Sequence, residues 1–344
     1  MSVATAPAAA TGDAGRDRRH GHPALRIASL YLPTLLIVVG LVFVLPRSMP
    51  GDPLSVFDDP DNNAFISDTE SRERLLDYYG LDDPLPTQFA HYVSRIARGD
   101  LGWSIARNAP VSELVRQHLP WTLLLMGTSL VLAAAASYLA GVASAWRRGR
   151  ALDRGLLVTL TAVNAVPEYA LAAVLLIVFA VVFPVLPLYG ARTPFAGDGG
   201  LAAVADVAEH LVLPAGALTL SLVGTKFLLV RNTVLSSLGQ DYMLLARAKG
   251  LPERLVKYRH AGRNALLPFV TVLGIQAGFA VGGSVFVESV FSYPGMGTLI
   301  LRAVDARDYP VLEASFLVLA LVVLVVNFGL DLLYARLDPR VLAE

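Results

Sequence analysis

The sequence predicts an all-α polytopic membrane protein with six transmembrane helices, on the basis of three observations. Of its 344 residues, 55% are hydrophobic and only 16% are charged, whereas about 25% of the residues in a soluble domain are charged. Six apolar runs each reach the roughly 20 residues that a helix needs to cross a bilayer. Arg and Lys are concentrated in alternate connections between these runs. The predicted spans are 27–46, 119–145, 155–183, 211–230, 265–288 and 311–333.

The distribution of positive charge predicts how these spans are oriented. Seventeen Arg and Lys residues lie before the first span, in the connections 146–154 and 231–264, and after the last span. Only three lie in the short connections on the other side. Cytoplasmic connections carry the excess of Lys and Arg, so both termini are predicted to be cytoplasmic. Residues 1–25 lack the apolar core of a signal peptide and are expected to form a disordered cytoplasmic tail.

The long connection 47–118 is predicted to be an external helical loop domain. Its segment 67–70 reads "SDTE", a capping box that begins a helix, and Gly80 suits the end of that helix. Pro86 begins a second helix, which Gly99 follows. The apolar face of this second helix contains Phe89, Tyr92, Val93 and Ile96. This domain can be a small cap over the spans, a docking surface for an external partner, or both.

A basic hairpin, 240–263, lies between the fourth and fifth spans. Asp241 suits the N-cap of its first helix and Gly250 the position just after that helix ends. Pro252 then begins a second helix that ends near Gly262. The apolar face of the first helix is formed by Tyr242, Leu245 and Ala246. This face can pack on the protein's own spans, lie among lipid headgroups, or fit the groove of a soluble partner, and its spacing does not choose among them.

Nearly the whole chain, from about Arg26 to Arg340, resembles the inner-membrane permease subunits of bacterial ABC importers. The similarity is to the dipeptide and oligopeptide branch, which also includes nickel and glutathione permeases. The matching segments occur in the family's order and between the expected spans. They are "MPGDP" (49–53), "YGLDDPLPTQF" (79–89), "RGDLGWSI" (98–105), "APVSELVRQHLPWTL" (109–123), "LGQDYMLLARAKGLPE" (238–253), "RHAGRNALLPFVTVLG" (259–274), "VFSYPGMGTLI" (290–300), "ARDYPV" (306–311) and "DLLYARLDPR" (331–340).

The family's cytoplasmic signature is Glu-Ala-Ala, three residues, Gly, and then a later Leu-Pro. Here Ala246, Gly250 and the pair 267–268 match it. Leu244 and Leu245 stand where the general pattern has Glu and the first Ala, and the gap before Leu-Pro is longer than usual. Both departures are common in the peptide branch, so the resemblance implies that the hairpin carries a coupling helix. The implied coupling residues are Asp241, Tyr242, Leu245, Ala246, Arg247, Ala248, Lys249 and Gly250.

The resemblance implies the fold of a type I ABC importer permease. Its parts are a first transmembrane helix (26–46), the external domain, and a five-helix core (119–340) that contains the hairpin. The chain is expected to work in the bacterial inner membrane, in contact with lipid. Together with a second homologous permease it would form the path for di- and oligopeptides. An external binding protein would supply the solute, and two cytosolic ATPase subunits would hold ATP and magnesium.

Several residues inside the predicted spans suit a translocation path or a helix interface. Glu168 falls near the middle of the third span, one turn beyond Asn164, and a mid-membrane carboxylate rarely faces lipid. It can line the path or hydrogen-bond to a neighbouring span. Lys226, near the cytoplasmic end of the fourth span, is expected to extend its ammonium group to the interface. The fifth span contributes Thr271, Gly274, Gln276, Gly278 and Gly282, whose glycine spacing favours close helix contact within the chain or with the second permease.

The sequence predicts no catalytic, metal or cofactor site and no nucleic-acid partner. It contains no cysteine, places no His inside an apolar run, and lacks a GxxxxGK[ST] phosphate loop. The chain is therefore expected to be a non-enzymatic subunit that relies on other chains for ATP hydrolysis. A nickel or glutathione permease is an alternative reading. A proton-coupled peptide carrier is another, although such carriers need ionisable relays in their spans.

Overall fold

The computed structural model describes residues 23–48, 83–104, 106–194 and 199–337, and most of them are helical, as predicted. The helices are α1 (Pro23–Arg47), α2 (Leu85–Ala97), α3 (Val111–Trp146), α4 (Ala151–Asn164), α5 (Glu168–Leu176), α6 (Gly200–Leu238), α7 (Asp241–Ala248), α8 (Glu253–Leu255), α9 (Arg263–Val290), α10 (Met296–Asp305) and α11 (Tyr309–Leu337). π-Helical turns extend α5 to Val182 and α8 to Gly262. Before α3 lies a short antiparallel pair of strands, β1 (Trp103–Ser104) and β2 (Ala109–Pro110).

Each predicted span coincides with a helix or a pair of helices. Within the described ranges, three helices are long and apolar enough to cross a membrane: α3, α6 and the Tyr309–Leu330 part of α11. A fourth is added if α4 and α5 count as one span. The apolar part of α1, Tyr31–Arg47, is shorter, and α9 covers the predicted fifth span. A total of six spans remains a prediction.

The predicted third span, 155–183, is broken rather than continuous. α4 ends at Asn164, and α5 begins at Glu168 after a 102° bend. Pro167 stands immediately before α5 with extended backbone angles, φ −57° and ψ 145°. Proline has no N–H to donate and disfavours helical angles in the residue before it, so the chain breaks here. Glu168 therefore lies at a helix start instead of inside a helix.

α6 lies at the centre of the bundle because glycines let its neighbours approach closely. A Cβ placed on Gly141 of α3 would lie 2.8 Å from the side chain of Val230. A Cβ placed on Gly224 of α6 would lie 2.5 Å from the Cβ of Asn164 at the end of α4. Because neither glycine has a side chain, α3 and α4 can pack closely against α6.

Buried ion pairs connect helices at both ends of the bundle. At the end that carries α7, Arg231 of α6 donates to Asp153 of α4 at 2.8 Å, and Ser144 of α3 donates to the same carboxylate at 2.5 Å. At the end that carries the strand pair, Arg47 of α1 pairs with the buried Glu313 of α11. Removing one partner of a buried pair leaves an uncompensated charge, so these contacts fix the relative placement of the helices.

The predicted external domain is described only in part. The helix predicted to begin at Pro86 is confirmed as α2, and Gly99 follows it with a positive φ of 77°. The capping box at 67–70 and Gly80 lie outside the described residues. The strand pair was not predicted. It is attached to the start of α11, because Ser104 donates a 2.5 Å hydrogen bond to the carboxylate of Asp308.

Candidate functional site

The helix α7 stands between two of the longest helices, α6 and α9, and its ends follow local sequence signals. It begins at Asp241, and the residue in the N-cap position is Gln240, one residue before the predicted cap. It ends at Ala248, and Gly250 adopts a positive φ of 69°. This confirms the predicted glycine turn, since only glycine takes such an angle without strain. The predicted second helix does not end at Gly262 but continues without a break into α9.

One face of α7 is buried against the rest of the chain. Met243 is 1% exposed and Ala246 is 4% exposed. Both belong to an apolar cluster that includes Val234 of α6, Val256 of the π-helical turns after α8, and Ala265 of α9. The prediction that Ala246 shares a face with Leu245 was therefore wrong. The i and i+3 positions 243 and 246 point inward together, and position 245 points away from them.

The opposite face of α7 is also apolar but is not covered by the described part of the chain. Leu244 is 67% exposed and Leu245 is 57% exposed, and Ala248 beside them is exposed as well. We call these three residues the outward face. Tyr242 lies at its side, where its hydroxyl accepts a 2.5 Å hydrogen bond from Asn264. A short helix that is apolar on both sides has a surface for a second partner.

Basic side chains are frequent in the hairpin that carries the outward face. The guanidinium of Arg247 lies 5.6 Å from the ring centroid of Trp146, at the end of α3. Lys249 is exposed at the end of α7. Further exposed basic side chains in the adjoining segment are Arg254, Arg259 and Arg263. An apolar centre with a charged rim is the usual anatomy of a protein–protein interface.

The predicted path residues of the third span lie on the two sides of its break. Asn164 ends α4, and its side-chain oxygen accepts a 3.3 Å hydrogen bond from Thr225 of α6. Glu168 begins α5 and is partly exposed. Thr271 of α9 is exposed too, with its hydroxyl bonded to the Leu267 carbonyl. These polar groups are thus accessible from outside this chain and are not sealed in its core.

The predicted glycine interface of α9 is only partly described. A Cβ on Gly274 would lie 3.6 Å from Leu330 and 3.7 Å from Asn327, so Gly274 faces α11 of the same chain. The surroundings of Gly278 and Gly282 lie outside the described residues. The side-chain oxygen of Gln276 is buried and has no hydrogen-bond partner among the described residues. Gly274 therefore contributes to packing within the chain.

Lys226 does not extend to the interface as expected. Its side chain is fully buried, and its ammonium group donates a 2.8 Å hydrogen bond to the Leu222 carbonyl one turn earlier in α6. The residue lies between positions 223 and 230, which pack against α3. The tight helix contacts around α6 therefore hold the lysine inside the bundle.

A buried carboxylate that the sequence analysis did not single out joins three helices. Glu288, near the end of α9, accepts hydrogen bonds from the Thr122 hydroxyl of α3 at 2.7 Å and from the backbone N–H of Gly297 at 2.6 Å. Thr122 in turn accepts from the Met296 N–H at 2.7 Å. The carboxyl group thus lies at the N-terminal end of α10, where backbone N–H groups have no partner inside the helix. A sequence signal existed: an acidic residue ends an apolar run and is followed by "YPGMG".

The glycines around Glu288 make room for its carboxylate. A Cβ on Gly295 would lie 2.4 Å from the carboxyl group, and one on Gly297 would lie 2.7 Å from it and 2.5 Å from the backbone of Val285. A side chain at Gly295 would displace the Glu288 carboxyl group, and one at Gly297 would require a shift of the Val285 backbone. Glu288, Thr122 and the two glycines therefore form one structural unit that joins α3, α9 and α10.

Comparison with known proteins gives consistent similarities. A family described as "Binding-protein-dependent transport system inner membrane component" matches residues 137–343. The glutathione transport system permease protein GsiC of Salmonella typhimurium is 37% identical over 90% of this chain and 95% of its own length. A putative peptide permease protein of Brucella suis biovar 1 is 39% identical, again over 90% of this chain and 95% of its own length. The oligopeptide transport system permease protein AppB of Bacillus subtilis is 37% identical over 92% of this chain and 98% of its own.

Proposed function

We propose that this chain is the permease subunit of an ATP-driven importer of short peptides. The chain belongs to the family of inner membrane components of binding-protein-dependent transport systems. Glutathione, itself a short peptide, belongs to this substrate class. Support comes from relatives that are 37–39% identical along at least nine tenths of the chain and are named as glutathione or peptide permeases. ATP is hydrolysed by separate subunits, with magnesium bound there.

The proposed architecture has six spans with both termini in the cytoplasm. Its support is the coincidence of each predicted span with a helix or the bent pair α4–α5, together with the excess of Lys and Arg on one side. A second homologous permease completes the path, and an external binding protein delivers the solute. The end of the bundle that carries α7 then faces the cytoplasm, and the end that carries α2 and the strand pair faces outward.

The exposed outward face of α7 is the main support for the proposal that α7 binds an ATPase subunit. Leu244 and Leu245 remain exposed on a short helix, and the charge distribution favours the cytoplasmic side for that helix. They would enter an apolar groove of an ATPase subunit, and the basic rim would meet acidic groups around that groove. Burying the exposed parts of two leucines contributes roughly 2–4 kcal/mol before the ordering costs of association are subtracted.

The inward face of α7 would transmit the motion of the ATPase to the spans. Met243 and Ala246 are buried in a cluster that joins α7 to the π-helical turns after α8 and to residues of α6 and α9. Closely packed interiors resist deformation and pass displacement on. When ATP draws the two ATPases together, α7 would therefore move with them and pull on α6 and α9. The result is an alternation between inward-facing and outward-facing states of the path.

Glu168 and Asn164 are proposed to lie beside the path. Both stand at the break in the third span and are not sealed in the core. Interrupted helices in transporters often place polar groups and backbone at the substrate site. The carboxylate of Glu168 would suit the amino group of a peptide.

Uptake in cells tests the substrate class. A strain that lacks the gene for this chain is expected to lose accumulation of a labelled dipeptide or of glutathione, and the wild-type gene is expected to restore it. A labelled free amino acid serves as the control, and its uptake should not change. Full uptake of dipeptides, longer peptides and glutathione in the deletion strain would refute the proposed substrate class.

Single-cysteine labelling tests the orientation, because the chain has no cysteine of its own. Cysteines at Arg148 and Lys257 are expected to react with a membrane-impermeant maleimide only after the cells are opened. A cysteine at Ala90 of α2 is expected to react in intact cells. If position 90 is protected and position 257 reacts in intact cells, the orientation is the opposite of the one proposed.

A further inference from the structure

α2 is attached to the rest of the protein along one narrow face. Tyr92 is buried in a cluster with Val42 and Phe43 of α1 and Leu317 of α11. One turn earlier, Gln88 accepts a 2.9 Å hydrogen bond from Arg47, the last residue of α1. Tyr92 and Gln88 are spaced i and i+4, so they share one side of the helix.

A second side of α2 is apolar but exposed. Leu85 is 60% exposed, Phe89 38% and Val93 40%, and their spacing of four residues aligns them in one stripe. The neighbouring exposed residues Pro86, Ala90 and Ala97 widen this stripe to an arc of about 140°, at 100° per residue. We call it the apolar arc. Polar residues occupy the remaining side: Thr87, His91 and Ser94.

α2 packs beside the end of α1, and this contact indicates how far the apolar arc lies from the membrane. The Phe89 ring lies 5.1 Å from the Phe43 ring of α1, centroid to centroid. Phe43 is one turn before Arg47, where α1 ends. α1 carries its own stripe of exposed apolar residues up to that end, namely Ile37, Leu41, Val44 and Leu45. If this stripe faces lipid, α2 lies within about one helical turn of the bilayer surface, since a turn rises 5.4 Å.

The chemistry around the apolar arc is that of a membrane interface. α2 contains no acidic residue, and the exposed Arg98 directly follows it. Trp103 in the following strand is 41% exposed. Arginine suits lipid phosphates, and tryptophan is enriched at the boundary between hydrocarbon and water. An amphipathic helix with these features binds in the plane of the interface.

We propose that α2 is an interfacial helix whose apolar arc is inserted into the outer leaflet beside α1. Leu85, Phe89 and Val93 contact acyl chains, Arg98 contacts headgroups, and Thr87 and His91 face water. Such a helix would hold the external domain flat on the membrane, next to the start of the path. This inference rests on the span assigned to α1 and is independent of the solute carried.

Spin labels at single cysteines test the proposal in the intact complex. The complex is reconstituted in bilayers of zwitterionic and anionic phospholipid, with labels at positions 85, 89 and 93 and matched controls at positions 87, 91 and 94 of the same helix. Oxygen is concentrated in lipid, whereas a nickel chelate remains in water. Labels in the apolar arc are expected to collide more often with oxygen than with the chelate, and the control labels are expected to show the reverse.

Two results would overturn the interfacial helix. Frequent collision of positions 89 and 93 with the nickel chelate would mean that the arc faces water. Weak collision with both reagents would mean that protein covers it, whether another segment of this chain or the binding protein. Repeating the measurement with and without the binding protein separates these two covers. If Phe89→Cys disturbs the contact with Phe43, positions 85 and 93 still decide the outcome.

Discussion

The double substitution Leu244→Asp and Leu245→Asp is expected to abolish solute uptake and to detach the ATPase subunits from an otherwise folded permease. Both side chains are more than half exposed in this chain, so the new carboxylates remain in water while the permease is alone. In the complex they would have to enter an apolar groove, where an unpaired charge is strongly disfavoured. Loss of a central interface residue costs about 2 kcal/mol or more, which is roughly a 30-fold weakening.

The amount of ATPase that copurifies with each permease variant measures this effect. Leu201→Asp is a matched control, because Leu201 is an exposed leucine at the opposite end of the bundle, and it is expected to retain the ATPases. Ala246→Asp provides a contrast, because it buries a carboxylate inside the chain and should lower the yield of folded permease. A normal ATPase ratio in the double variant would remove α7 from the coupling interface.

Replacement of Glu288 by Ala is expected to destabilise the permease severely. The Thr122 hydroxyl and the N–H groups of Gly297 and Thr298 would lose their shared acceptor. Each buried donor left without a partner costs about 1–3 kcal/mol, so a total loss of roughly 3–9 kcal/mol is expected. Gly297→Ala should act in the same direction, because its methyl group would collide with the backbone of Val285. Thermal unfolding of the purified complex measures both variants.

Glu113→Ala is the control for the removal of an acidic side chain. Glu113 is exposed in the first turn of α3, where its carboxylate accepts a 3.1 Å hydrogen bond from Gln117. Its loss is expected to change the unfolding midpoint little, because surface interactions of this kind contribute less than about 1 kcal/mol. Equal midpoints for wild type and Glu288→Ala would show that the three helices do not depend on this carboxylate.

The elements that local signals determine were predicted well. Apolar runs placed the long helices, because the length and hydropathy of a run do not depend on its neighbours. Pro86 and Gly99 marked the ends of α2, and Gly250 marked the turn after α7, because proline and glycine act through their own backbone. Pro167 also acts on its own backbone and breaks the third span. The break was not predicted, because the apolar residues on both sides of Pro167 form one run of membrane-spanning length.

Properties that depend on packing were not predictable from spacing. Periodicity placed Ala246 with Leu245, but the direction of each side chain is set by where α6 and α9 meet α7. Lys226 has the composition of a residue that extends to an interface, and only the contact of α6 with its neighbours holds it inside. The hydrogen-bond partners of Glu288 and Glu313 are distant in sequence, at Thr122 and Arg47. Contacts between residues so far apart cannot be predicted from a local sequence pattern.

Reconstituted uptake tests the central claim most directly. The chain is assembled in liposomes with its second permease and its ATPase subunits, with the binding protein and a labelled dipeptide or glutathione outside. Accumulation is expected only when magnesium and ATP are supplied on the ATPase side and the binding protein is present, and a proton gradient should not replace ATP. Uptake that follows the proton gradient without ATP or the binding protein would contradict the account.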